Sequence, residues 1–172
     1  MDSHPPPGRA SGHEGDRYAV CRPVAWVHRR GGYDRTMTVP TEAKSAVKGI
    51  SVLLYSDDRS TRDAVRLGVG RRPADDVTVE SWHECATADA VMLALQEETF
   101  DVLVLDGEAQ PYGGLGVCRQ VKNEIFDCPP IMVLIGRPGD GWLAAWSQAD
   151  AVVSHPLQPA ELAESLAVLA RS

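Results

Sequence analysis

Short apolar runs alternate with amphipathic stretches along residues 49–172. Ile50–Tyr55 is apolar apart from Ser51, and Ser60–Val69 follows with Ala64, Val65, Leu67 and Val69 at helical spacing. After the GRRPADD loop, Val77–Trp82 alternates with a period of two. Thr87 then stands as the cap of a helix over Ala88–Glu98, with Val91, Leu93, Ala94 and Leu95 apolar. Val102–Leu105 is a second continuous run, Leu115–Glu124 a helix carrying Val117, Cys118 and Val121, and Ile131–Ile135 the most apolar run of all. Gly141–Gln148 reads as a helix with Trp142, Leu143 and Trp146, Ala151–Val153 as a short strand, and Pro159–Ala170 as a last helix with Leu162, Leu166 and Leu169 aligned. Apolar runs of four to six residues fit strands covered on both faces, and stretches with a 3.6-residue period fit the helices that cover them. Five strand–helix repeats with right-handed crossovers predict an α/β fold: a doubly wound, five-stranded parallel sheet in a three-layer sandwich.

Residues 1–48 lack any such period. PPPG, RASGHEG, RRGG and TVPTE break every pattern, and VAWV at 24–27 is too short for a core element. This part reads as a disordered extension, or as residues ahead of a start site placed too early, with the compact domain at 49–172. Charge divides in the same place: the extension carries a formal charge of about +3 and the remainder about −10, within a total of −7. An acidic body argues against a nucleic-acid partner, which requires clustered Lys and Arg.

Cys21, Cys85, Cys118 and Cys128 have no CxxC or zinc-ligand spacing and read as buried thiols in a reducing cytoplasm. No run is long enough to span a membrane, and no continuous apolar segment marks a signal peptide. The expectation is a soluble cytoplasmic protein without a membrane partner.

Ligands of doubly wound sheets bind beyond the carboxyl ends of the strands. Ser56, Asp57 and Asp58 follow the first strand, Asp106 the third, Gly136 the fourth, and Ser154, His155 and Pro156 the fifth. Two strand ends therefore offer carboxylates, a donor set suited to Mg²⁺.

These strand ends, with LVLDGEAQPYGG around Asp106, resemble the receiver domain of bacterial response regulators over residues 49–172. The resemblance implies a flavodoxin-like fold, a phosphoryl group accepted by Asp106, and Mg²⁺ held by Asp57, Asp106 and the backbone carbonyl of Glu108. The eight-residue step from Asp106 to Gly114 matches the family, while Pro111 lies one place late. Counting back from Arg62 puts Ser56 and Asp57 in the family's acidic pair. The other register, Asp57–Asp58, shortens the following loop by one residue. In the first register Ser56 replaces an acid and Asp58 becomes a helix-start residue. The family's switch positions fall on Ile135, where a hydroxyl is usual, on Val152, where an aromatic is usual, and on His155 before Pro156, where a Lys is usual. Two readings of His155 stand side by side: a protonated imidazole that pairs with Asp106 as that Lys does, or a half-exposed imidazole that merely follows the strand.

The resemblance implies a stand-alone, atypical receiver in a two-component phosphorelay. It would not be an enzyme, and would act by protein–protein interaction with a histidine kinase and an output protein. Homodimerisation stays open. Trp142 and Trp146, four residues apart on one helix, are the candidate partner surface. A phosphorylation-independent binding module is the main alternative. An aspartyl-nucleophile phosphatase fits poorly, because such enzymes carry the nucleophile on their first strand and a later Lys, and no Lys follows Lys122.

Overall fold

The computed structural model describes residues 46–172. The reading of 1–48 therefore lies outside the described residues except for its last three. Eleven elements follow in order: β1 (Lys48–Tyr55), α1 (Arg59–Val69), β2 (Val77–Cys85), α2 (Ala88–Glu97), β3 (Val102–Asp106), α3 (Gly114–Glu124), β4 (Ile131–Ile135), a 3₁₀ turn (Pro138–Asp140), α4 (Gly141–Ser147), β5 (Ala151–Ser154) and α5 (Pro159–Leu169). All strand pairs are parallel, and the sheet order is β2-β1-β3-β4-β5. This is the doubly wound arrangement expected, with the order reversing between β1 and β3.

Successive strand residues point to opposite faces, so the buried runs feed two cores. Val52, Leu54, Val102, Val104, Met132 and Leu134 pack against α1 and α5, through Val65, Val69, Leu162 and Leu166. Leu53, Leu103, Leu105, Ile131 and Val133 pack against α2 and α3, through Val91, Ala94, Val117, Cys118 and Val121. β3 and β4 are buried along their whole length, which explains why they read as unbroken apolar runs.

The helices bury narrower stripes than their apolar residues suggested. Leu67 and Leu93 face solvent, and α4 buries Ala144 and Ser147 instead of its tryptophans. β2 runs three residues beyond its predicted end. Its register with β1 slips between Ile50 and Ser51, so Glu80 becomes an extra residue on the edge strand. The Glu80 carboxylate lies directly against Gly49, where any Cβ would collide with it.

Arg171, just past α5, closes a two-point ion pair on Asp76 with bonds of 2.6 and 2.8 Å. The Arg171 hydrogen bonds hold the Asp76 carboxyl down to about 2, against an ordinary 3.8. A depressed carboxyl contributes stability that is present above its unfolded value and fades as pH falls through its folded one. The advantage of wild type over Asp76→Asn in urea denaturation should therefore be constant above about pH 4 and shrink toward pH 2. It should also weaken with added salt, since the pair is solvent-exposed. A difference that grows on acidification would contradict this.

Candidate functional site

Parallel register builds the site. Val52 pairs with Val102 and Leu54 with Val104, so Ser56 and Asp106, each two residues further on, come side by side on the same face. Both are buried, Asp106 to 4% exposure. The Ser56 hydroxyl donates to Asp106 Oδ2 at 2.7 Å, and the Glu108 amide donates to Asp106 Oδ1 at 3.0 Å. A buried carboxylate is expensive unless hydrogen-bonded, and here both oxygens are engaged by neutral donors of the protein itself.

Ser56 is held in turn. Its carbonyl accepts Arg62 Nη1 at 2.6 Å, and Arg62 Nε bonds Glu84 at 2.9 Å. Arg66 reaches the other Glu84 oxygen at 2.7 Å. The Ser56 hydroxyl oxygen accepts the Asp58 amide at 3.2 Å, and a second acceptor for its proton, the Asp58 carbonyl, lies 3.3 Å away.

The neighbouring aspartates part company. Asp58 is the N-cap of α1. Its Oδ1 accepts the Ser60 amide at 2.9 Å and the Ser60 hydroxyl at 2.6 Å, and these bonds lower its pKa. Asp57 is exposed just past the end of β1. Ser56 thus lies against Asp106, while Asp58 caps α1.

Tyr55 was not singled out by its sequence position. It is fully buried at the end of β1, and its hydroxyl donates to the carbonyl of Tyr112 in the β3–α3 loop. Burial foremost, then the charges of Asp57 and Asp106, push the phenol's pKa up.

The β3–α3 loop is set by glycine. A Cβ on Gly114 would lie 2.5 Å from the Asp106 carbonyl oxygen, and one on Gly107 would lie 2.5 Å from that of Leu134. The step from Asp106 to Gly114 is thus a packing requirement: α3 starts in contact with the acceptor's own backbone. The Glu108 carboxylate arches over Gly136, where a Cβ would meet it at 2.8 Å. The bonds Gln110–Pro111 and His155–Pro156 are both cis.

The predicted switch positions fall in different surroundings. Ile135 is buried in the α2–α3 core, 3% exposed. Val152 is exposed on β5. His155 follows β5 with its amide bonded to the Ile135 carbonyl at 2.9 Å. Its imidazole makes no hydrogen bond or ion pair among the described residues, so the pairing of a protonated His155 with Asp106 is not made. Position alone brings His155 to the correct strand end without bringing its ring to the carboxylate. Trp142 and Trp146 are 69% and 55% exposed, and the Arg119 guanidinium of α3 lies 5.7 Å above the Trp146 ring.

Among the described residues, no three His, Cys, Asp or Glu side chains gather as a metal site. The ends of β1 and β3 supply two carboxylates, Asp57 and Asp106, beside the neutral Ser56 that bonds Asp106. That donor set still fits Mg²⁺, which takes one or two carboxylates and keeps waters for the rest of its shell. Cys85, Cys118 and Cys128 are free thiols, the first two buried, with Cys85 raised by burial to about 11. Cys21 lies outside the described residues.

No family model matches the chain. A response regulatory protein of Mycobacterium tuberculosis is 42% identical over 123 residues, covering 72% of this chain and 92% of the relative. The chain belongs to the response regulator family. The same match recurs in a second strain of that organism. Among solved structures, the receiver domain of a Francisella response regulator has a TM-score of 0.60 at 14% identity, over 71% of this chain and 97% of that one. A chemotaxis response regulator of Vibrio cholerae gives 0.57 at 20% identity, over 71% and 99%. At these identities the structures speak for the fold alone, which is that of a flavodoxin-like receiver. Residues 46–172 are thus a response regulator receiver domain of two-component signalling. Among them no helix is long and apolar enough to cross a membrane.

Proposed function

We propose that this receiver accepts a phosphoryl group on Asp106 from a histidine kinase and acts by binding a partner protein, without turnover of its own. The observation that carries the reading is the buried Asp106 carboxylate at the end of β3, bonded to the hydroxyl of Ser56, which Asp57 follows in the chain. For attack, one Asp106 oxygen must give up its donor. The Glu108 amide is fixed, but the Ser56 hydroxyl can rotate from Oδ2 to the Asp58 carbonyl, freeing Oδ2. As the new P–O bond to Asp106 forms, the P–N bond to the kinase histidine breaks and the proton stays with the imidazole. Asp57, Asp106 and the Glu108 carbonyl would hold Mg²⁺. When bound, the ion offsets the charge between carboxylate and phosphoryl group.

With Ile135, Val152 and His155 in the switch positions, the usual hydroxyl, aromatic and lysine are absent, so any response runs through other groups. The exposed Trp142 and Trp146 are the proposed partner contact, since aromatic side chains anchor protein interfaces. Soluble placement in the cytoplasm follows from this role.

The test is incubation with acetyl phosphate and Mg²⁺, followed by intact mass. The expected result is one phosphoryl adduct in wild type and none in Asp106→Asn. No adduct would instead favour a phosphorylation-independent binding module, and an adduct that survives Asp106→Asn would remove Asp106 as the acceptor.

A further inference from the structure

Every polar group of Ser56 is spoken for. Its amide bonds the Cys85 carbonyl at the end of β2 at 3.2 Å, its carbonyl accepts the Arg62 guanidinium at 2.6 Å, and its hydroxyl meets Asp106 at 2.7 Å. The Arg62 amide also bonds the Asp58 carbonyl, at 3.2 Å. One residue of α1 thus grips the turn at both Ser56 and Asp58. That turn decides what the Ser56 hydroxyl can reach, Asp106 Oδ2 or the Asp58 carbonyl at 3.3 Å. Arg62 is aimed in turn from β2. Its side chain, 14% exposed, bonds Glu84 Oε2 at 2.9 Å, and Arg66 holds the other Glu84 oxygen at 2.7 Å. Among the described residues Glu84 makes no hydrogen bond to Ser56 or Asp106.

From this chain of contacts we propose that Arg62 and Glu84 are positioning residues: acting through the Ser56 carbonyl, they hold the Ser56 hydroxyl on Asp106 and keep the Asp58 carbonyl in place to receive it when Oδ2 is freed. The planar fork of arginine suits the task, because it serves the carbonyl and the carboxylate at once and fixes the angle between them. Bonds from a charged donor are also the stronger kind, so the guanidinium outweighs the neutral amide bond on the other side of Ser56. Glu84 supplies the fixed end of the fork, since it belongs to a strand and is braced by Arg66. Without Glu84 the fork loses its aim, the turn relaxes, and the hydroxyl spends less of its time on Oδ2. The same turn carries Asp57, so a relaxed turn slows adduct formation. That last step rests on the proposed function; the placing of the hydroxyl does not.

The experiment is NMR of the full chain at neutral pH, without metal or phosphodonor, following the Asp106 carboxyl carbon and the Ser56 Cβ. Glu84→Ala and Arg62→Met should each shift both signals. Arg59→Met, which removes an exposed arginine of the same helix paired with Asp63, should leave them in place. In a Ser56→Ala background the Asp106 carbon should no longer respond to Glu84→Ala, a dependence that general loosening of the fold would not produce. Glu84 lies at the surface of the edge strand, so Glu84→Ala carries the test even where Arg62→Met fails to fold. Unmoved Asp106 and Ser56 signals in Glu84→Ala would overturn the proposal, as would an Asp106 shift of equal size with Ser56→Ala. A second arm follows adduct formation from acetyl phosphate and Mg²⁺ by intact mass. It should be roughly three- to tenfold slower in Glu84→Ala than in wild type or Arg59→Met, because misplaced reacting groups cost rate. An unchanged or faster rate would overturn the claimed effect on the reaction. No adduct in wild type defeats the acceptor reading and leaves the NMR result to decide on Arg62 and Glu84.

Discussion

Without divalent metal, Ser56→Asp should melt well below wild type, and millimolar Mg²⁺ should restore much of the loss. Wild-type Asp106 is satisfied by a neutral hydroxyl at 2.7 Å. Aspartate at position 56 replaces that donor with a second carboxylate against a side chain only 4% exposed. Two like charges about 4 Å apart repel by about 4 kcal/mol at an effective dielectric near 20. Partial protonation and small movements relieve some of this, leaving about 2–3 kcal/mol. For a domain of this size that is a Tm lower by roughly 10 °C. Mg²⁺ between the carboxylates removes the repulsion, whereas wild type lacks that conflict and should shift far less. Lower pH should also narrow the gap, because one carboxyl of a close pair takes up a proton early. Calorimetry at neutral pH in EDTA and in Mg²⁺ measures both proteins. Equal Mg²⁺ shifts in the two would refute the account of Ser56 as the metal-free partner of Asp106.

Gly114→Ala should cost about 3 kcal/mol, the upper part of the range for an overpacked site. The added methyl group would lie 2.5 Å from the Asp106 oxygen, 2.7 Å from its carbonyl carbon and 2.9 Å from the Leu105 carbonyl carbon. All three are backbone atoms in the centre of the sheet, so no side chain can swing aside and the start of α3 must move. Because that movement is transmitted to Asp106, phosphoryl adduct formation should fall together with stability. Gly68→Ala is the control. Its nearest contact is the end of the flexible Leu162 side chain at 2.9 Å, so it should be much milder. Urea denaturation of the two variants makes the comparison, and equal losses would show that the contact with Asp106 is not what demands glycine.

Most of the architecture was legible because two periods, 2 and 3.6, alternate cleanly after residue 48. The five strands and five helices fall where apolar runs and stripes place them, with no end shifted by more than three residues. Exposure within the helices was less legible. Leu67, Leu93, Trp142 and Trp146 count as apolar in any pattern, yet stand in solvent because small residues such as Ala94 and Ala144 occupy the contact. The candidate site was legible as a set of strand ends and not as a set of contacts. That Ser56 faces Asp106 follows only once β1 is known to lie against β3 in a given register. The Tyr55 hydrogen bond ends on a loop carbonyl, a partner that no side-chain pattern advertises. His155 is the opposite case: its place after β5 is plain in the chain, but whether its ring bonds a carboxylate is not, and among the described residues it makes no such bond.

The slip of register that sets Glu80 apart on β2 bears on how these molecules behave when crowded. A parallel sheet ends in two open rows of amides and carbonyls, each a template for a foreign strand. Along β2 that row is interrupted by the extra residue, and it carries Glu80 and Glu84. On the opposite border β5 offers only four residues before Pro156 ends the run. Neither border presents a long, flat surface for intermolecular strand addition. Concentrated solutions of this domain should therefore resist fibrillar growth by strand addition along these two borders.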